Sequence, residues 1–126
     1  MTKKSVLLVG IDPELVDYTD PALPPGLNAA KVRAALQADV ARIIALGFSV
    51  TECYTDLGKT AATVVAEALK ESNYDCVLVG GGARIPPANL LLFEKLINAI
   101  HEGAPQSKIC FNTNPADSAE AVQRWI

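Results

Sequence analysis

Four short apolar runs separated by helical patterns constrain the fold of this sequence most strongly. Each run has the length and the β-branched content of one strand. Between the runs, apolar residues recur every three or four positions, as they do in amphipathic helices. Such alternation predicts strand–helix–strand units that stack into a parallel sheet. We expect the strands at residues 5–10, 48–54, 75–79 and 108–112.

Capping residues and apolar spacing predict the first two helices. The first is expected at about residues 29–46, because Asn28 can cap its start and Gly47 can end it. Its apolar stripe is Val32, Leu36, Ile43 and Leu46. The second helix is expected from a stripe that consists of Ala61, Val64, Val65, Ala68 and Leu69.

A third helix is expected at about residues 88–101, with Pro87 in its first turn, and a short last helix from residue 117 or 118. Leu91 projects almost opposite to the expected core stripe of the third helix. An exposed leucine of this kind is ordinary in a monomer but also fits a homodimer interface. That stripe consists of Leu90, Phe93, Leu96, Ile97 and Ile100, with Leu92 at its margin.

These elements predict one α/β domain over residues 1–126. Right-handed crossovers favour a three-layer sandwich with a four-stranded parallel sheet of order 2-1-3-4 and helices on both faces. In this order the winding reverses between strands one and three. Ligands of such folds bind at the carboxyl ends of the strands beside that reversal.

Composition excludes several classes of function. The net charge of −3 and the pI near 5.0 offer no attraction to nucleic acid, and no apolar run has the length of a membrane span. The apolar run near the start is too short for a signal peptide, so a cytoplasmic protein is expected. Cys53, Cys76 and Cys110 fall in apolar runs and are expected as buried thiols, and no metal site is predicted.

The most informative local feature is a strand that runs straight into Gly80, Gly81, Gly82 and Arg84. Glycines allow positive φ and close approach of a ligand, and Arg84 supplies charge for a phosphate or carboxylate. The alternative is a tight turn that packs beside the first strand. The segment lacks the third glycine of a dinucleotide-binding fingerprint.

Two other loops begin at the same predicted edge of the sheet. The first, residues 11–27, is long and rich in acids and prolines, which suits an ordered flap, and Asp12 is the acid closest to the strand. The second carries Asn112 and Asn114, whose amides suit a polar ligand but also suit a turn and helix cap.

The segment Asp56–Thr60 ends like a phosphate-binding Walker loop, but Cys53 stands where that motif requires glycine. A helix start with Asp56 near its N-terminus explains the segment instead. A nucleoside triphosphate is therefore not favoured, and the sequence leaves the cofactor unknown.

The whole pattern resembles the receiver and flavodoxin-like superfamily, including small bacterial α/β proteins, without the fifth strand. The resemblance matches Asp12 to an acid after strand one and Thr113 to the hydroxyl residue after strand four. Gly80 to Gly82 occupy the phosphoacceptor region, which implies a pseudo-receiver that is not phosphorylated. Related cobalamin-binding domains carry a histidine in the first loop, and residues 11–14 here contain none.

Three functions follow as hypotheses. The first is a cleft for a small anionic metabolite at the carboxyl edge, formed by the residues that the three loops supply: Asp12, Gly80, Gly81, Gly82, Arg84, Asn112 and Asn114. The second is a pseudo-receiver that acts through protein contacts of the third helix and the proline-rich loop. Catalysis is a third hypothesis, for which the sequence provides no nucleophile–base pair.

Overall fold

The computed structural model describes residues 3–126, which form a parallel sheet of four strands in the order β2-β1-β3-β4. The strands are β1 (Ser5–Ile11), β2 (Ser49–Thr55), β3 (Cys76–Val79) and β4 (Lys108–Phe111). Each lies within one residue of its expected bounds at either end. The predicted fold class, strand order and parallel pairing are therefore confirmed.

Five helices connect or follow these strands in the described part of the chain. They are α1 (Ala29–Ala45), α2 (Ala61–Glu71), α3 (Gly81–Arg84), α4 (Leu90–Gly103) and α5 (Ser118–Gln123). Short 3₁₀ turns occur at Pro13–Leu15 and Pro87–Asn89. The helix α3 was not expected, because the glycine segment was predicted as a loop.

Local chemistry explains the bounds of α1. The Asn28 side-chain oxygen accepts a hydrogen bond of 2.9 Å from the Lys31 N–H, which satisfies one of the amides at the helix start. Gly47 follows the helix with φ +99°, a conformation that costs glycine little. Both predicted helix signals are confirmed.

The sheet has one apolar core on each face. Alternate residues of β1 point to opposite faces, so Leu7 and Val9 enter one core and Val6 and Leu8 the other. The first core is completed by α2 and α4, and the second by α1 and α5. This double coverage explains why β1 and β3 are continuously apolar.

The predicted stripe of α4 was wrong at one end. Leu92, Leu96 and Ile100 are buried, whereas Leu90 is 63% exposed. At about 100° per residue, Leu92 lies only about 40° around the helix from Leu96, but Leu90 lies about 120° away. The buried face is therefore centred on Leu92 and Leu96. On α1, Leu46 was also expected in the core and is exposed at the helix end.

No helix within residues 3–126 is both long and apolar enough to cross a membrane. All three cysteines of the chain are unpaired, buried thiols, as predicted.

Candidate functional site

Three loops leave the sheet at the same edge. Because β1, β3 and β4 are parallel neighbours, their carboxyl ends lie side by side, followed by Asp12, Gly80 and Asn112 respectively. The chain leaves β1 toward β2 on one side and β3 toward β4 on the other. This is the reversal of winding at which α/β sheets open a crevice.

The three glycines after β3 begin the helix α3. The Gly80 N–H donates to the Val9 carbonyl at 2.9 Å, and the Gly81 N–H donates to the Asn112 side-chain oxygen at 2.7 Å. Within the described chain, the Gly82 N–H makes no hydrogen bond. The expected positive φ was wrong for this segment, because positive φ occurs instead at Gly26, Gly47 and Gly58.

Packing explains glycine at one of these positions but not at another. A methyl group added at Gly81 would lie 3.0 Å from Ile85 Cδ1 and 3.5 Å from the Asn112 side-chain oxygen, which is tight. A methyl group at Gly82 would meet nothing within 4 Å, and Gly82 is exposed. Packing therefore disfavours a methyl group at Gly81 unless Ile85 moves, whereas nothing in the protein opposes a methyl group at Gly82.

Arg84 is fixed beside the glycines. Its Nη2 donates to the Asn112 carbonyl at 2.8 Å, and its guanidinium carbon lies 5.8 Å from the centre of the Phe111 ring. Its Nε is buried and lacks a hydrogen-bond partner anywhere in residues 3–126. The guanidinium therefore has donor capacity that the protein itself does not use.

Asn112 joins this segment to α5. The residue is 4% exposed, and its Nδ2 donates to the Ser118 hydroxyl at 2.8 Å. Its side-chain oxygen holds Gly81 and its carbonyl holds Arg84, as described above. The structure thus brings Asn112 together with the glycine–arginine segment, but as a buried support whose polar atoms are already bonded.

A buried carboxylate continues this polar network. Asp39, on α1, is fully buried, and its Oδ1 accepts a hydrogen bond of 2.7 Å from Arg42. Burial raises the pKa of Asp39, and the nearby Ser118 and Arg42 offset part of that effect. The second carboxylate oxygen of Asp39, Oδ2, has no hydrogen-bond partner within residues 3–126. No role was predicted for Asp39 from the sequence. Its position at helical spacing between Leu36 and Ile43, within the apolar stripe of α1, could have indicated a buried charge.

Asn114 organises a turn next to Asn112. Its side-chain oxygen accepts from the Ala116 N–H at 2.7 Å, and Asp117 accepts from the N–H and the hydroxyl of Thr113. Burial acts to raise the pKa of Asp117, but these hydrogen bonds outweigh it and lower the pKa. The side chain of Asn114 therefore stabilises the loop that leads into α5.

Asp12 lies at the same edge but lines a cavity that does not include the glycine–arginine segment. Its Oδ1 accepts from the Glu14 N–H at 2.9 Å, which starts the turn Pro13–Leu15. The cavity has a volume of about 350 Å³ and lies between α1 and β2. Besides Asp12, its lining includes Arg33, Gln37, Glu52 and Tyr54. Asp12 thus points to the α1 side of the sheet, away from Gly81.

The long loop after β1 is ordered by its own polar residues. Asp17 accepts from Thr19, Asp20 accepts from the Ala22 N–H at 2.8 Å, and the Tyr18 hydroxyl donates to the Pro13 carbonyl at 2.7 Å. Hydrogen bonds from Thr19 lower the pKa of Asp17. Val16 packs against the core on the α2 side.

The Walker-like segment is a helix start, as predicted. The Asp56 carboxylate accepts from the N–H groups of Gly58 and Thr60 at 2.9 Å each. The Thr60 hydroxyl also donates to this carboxylate, at 2.7 Å. The bond from the Thr60 hydroxyl, followed by that from the Gly58 N–H, lowers the pKa of Asp56. Asp56 therefore fixes the turn into α2.

No protein-family model matches the chain, and no curated protein matches it. The assignment of function therefore depends on the geometry of this edge.

Proposed function

We propose that the carboxyl edge of the sheet binds a small anionic metabolite at the exposed start of α3. In this proposal the Gly82 N–H and the Arg84 guanidinium contact the anion. Gly80 and Gly81 shape the backbone. Asn112 and Asn114 hold the supporting loops, and Asp12 lies at the same edge without contact to the anion. We further propose that the protein works in the cytoplasm, since its three cysteines are free thiols.

The observation that carries the proposal is the unexplained glycine at position 82. Glycine inside a helix destabilises it by about 1 kcal/mol relative to alanine. The backbone of Gly82 does not need positive φ, and a methyl group there would meet no atom of the protein. A ligand that approaches the backbone at this position would account for the missing side chain.

The donors of Arg84 support an anion as that ligand. The guanidinium is held by the Asn112 carbonyl and the Phe111 ring, so it would lose little conformational freedom on binding. The guanidinium of Arg84 donates a hydrogen bond to a neutral carbonyl and not to a carboxylate. The positive charge is thus not neutralised by an ion pair within residues 3–126.

Native mass spectrometry of freshly purified protein tests the proposal. Wild type is expected to retain a small molecule that both Gly82→Ala and Arg84→Gln lose. The control is Arg124→Gln, because Arg124 also donates to a carbonyl at the end of β4, that of Phe111 at 3.0 Å. Retention of the molecule by Gly82→Ala and Arg84→Gln would refute the site. A wild type that carries nothing, even after incubation with phosphate, pyrophosphate and citrate, would also refute it.

A second candidate function is protein contact through α4, as in a pseudo-receiver. The specific observation is that Leu90 and Leu91, consecutive residues at the start of α4, are 63% and 64% exposed. Leu91 lines an open groove of about 880 Å³ between α2 and α4. Exposed apolar residues that adjoin one another favour an interface over isolated exposure.

Sedimentation of wild type, Leu91→Glu and Ile44→Glu tests this second candidate. Ile44 is 50% exposed on α1, on the opposite face of the sheet, and serves as the control. A homodimer through α4 predicts a dimer that only Leu91→Glu dissociates. A monomeric wild type at high concentration would exclude the homodimer.

A further inference from the structure

We propose that Cys76 and Cys110 form an oxidisable dithiol that a hydroperoxide converts to an intramolecular disulfide. Their sulfur atoms are 3.1 Å apart in the core beneath α5. The proposal is independent of the anion site.

The strand register explains how the two thiols meet. In the pairing of β3 with β4, Cys76 is opposite Lys108 and Leu78 is opposite Cys110, so the cysteines are diagonal neighbours. Residues two apart on a strand share a face, so both thiols point into the core that α5 covers. Formation of a bond of about 2.05 Å requires the sulfur atoms to approach by about 1 Å. It also requires a local shift of the two strands, because diagonal neighbours lie about 7–8 Å apart and an unstrained disulfide joins Cα atoms about 4.4–6.8 Å apart.

The two thiols share one hydrogen bond, in which either sulfur is able to donate. The sulfur that accepts is the one whose thiolate the contact stabilises, and the thiolate is the nucleophile. Cys76 attacks first in the reaction below, and the same steps balance with the two cysteines exchanged. Cys110 is already in place to resolve the product. Cys53 lies in the core on the other face of the sheet and has neither role.

The reaction balances without a metal or cofactor. The Cys76 thiolate attacks the terminal oxygen of the hydroperoxide, the O–O bond breaks, and the alcoholate that leaves takes up the proton lost by Cys76. The product is Cys76 sulfenic acid. Cys110 then attacks the Cys76 sulfur, the S–O bond breaks, and hydroxide leaves with the Cys110 proton as water. The two thiols lose two electrons, which reduce one hydroperoxide to one alcohol and one water.

Opening of α5 gives the oxidant access. Cys76 and Cys110 are 0% and 1% exposed, and Ala119, Ala121 and Val122 of α5 belong to the same core. The helix has six residues, too few to be stable without its packing. Its local opening is therefore the step that exposes the thiols.

Hydrogen peroxide added to the reduced full chain tests the proposal, with free thiols alkylated afterwards and intact mass measured. Wild type is expected to lose the mass of two hydrogen atoms, to alkylate only Cys53, and to recover fully with dithiothreitol. Peptide mapping should join Cys76 to Cys110. Cys53→Ser should form the same bond, and Cys76→Ser and Cys110→Ser should not.

Access through α5 has its own control. Glu120→Gly removes an exposed side chain of α5, and glycine weakens a helix. Because α5 would then open more often, disulfide formation is expected to become about three- to five-fold faster. The matched change Glu67→Gly, on α2, should leave the rate unchanged. Oxidation that reaches Cys53 first, or that yields sulfinic acid or linked dimers without the internal bond, would overturn the proposal. So would absence of the bond in both wild type and Glu120→Gly.

Discussion

Replacement of Asn112 by alanine tests how the candidate site is held in place. The change removes the acceptor of the Gly81 N–H and the donor to the Ser118 hydroxyl, at 2.7 and 2.8 Å. Gly81 and Ser118 are both buried, so water does not replace the lost partner. A buried polar group without a partner costs about 1–3 kcal/mol. The Gly81 N–H loses its acceptor and the Ser118 hydroxyl oxygen loses its donor, so we expect a total loss of about 2–4 kcal/mol.

Urea denaturation followed by far-ultraviolet circular dichroism measures this loss. Asn114→Ala is the matched control, because Asn114 is exposed and bonds only within its own loop; it should cost less than about 1 kcal/mol. Asn112→Asp keeps the acceptor for Gly81 but loses the donor, so its cost should exceed that of Asn114→Ala. A loss below about 0.5 kcal/mol for Asn112→Ala, or equal losses for the two alanine variants, would refute the bridging role of Asn112.

Three further predictions concern the core, a turn and a buried charge. Leu96→Ala should lower the free energy of unfolding by about 2–5 kcal/mol, because Leu96 is buried, whereas Leu90→Ala should change it by less than about 0.5 kcal/mol. Similar losses for the two variants in urea denaturation would contradict the assignment of Leu96, and not Leu90, to the buried face of α4. Gly47→Ala should cost about 1–2 kcal/mol in the same assay, since only the positive φ opposes the methyl group, and an unchanged midpoint would contradict this. The raised pKa of Asp39 means that the native state binds its proton more tightly than the unfolded chain, so this contribution to stability is present below pH 3.8 and is lost as pH rises through the native pKa. The free energy of unfolding of wild type relative to Asp39→Asn should therefore increase as pH falls from 7 toward 4, and a pH-independent difference would exclude a raised pKa.

The sheet could be predicted because its determinants are local. Apolar runs, the Asn28 cap and Gly47 each act within a few residues, and the connection rules for parallel strands then fix the order. The helix α3 could not be predicted in this way. Glycines disfavour a helix, and the hydrogen bond from the Gly81 N–H to Asn112 joins residues that are 31 positions apart.

The position of the candidate site could be predicted from the sequence, but the contacts of its residues could not. The carboxyl edge follows from the strand order, and Arg84 follows from its place after β3. The bonded state of Asn112 and the contact of Cys76 with Cys110 depend on the register of β3 with β4, which periodicity does not reveal. The direction of Asp12 toward α1 continues the alternation of β1, which places Val6 and Leu8 on the same side of the sheet.

The Gly82 and Arg84 amide signals in a ¹⁵N–¹H correlation spectrum test the anion site most directly, during titration with phosphate, pyrophosphate and citrate. At least one anion should shift both signals saturably, and Arg84→Gln should weaken that binding about ten-fold or more, as expected for lost charge-assisted hydrogen bonds. The signals of Gly47 and Gly58, in other loops, should stay in place. The account would be contradicted if neither signal responded to any of the three anions, or if the Gly82 signal responded equally in Arg84→Gln.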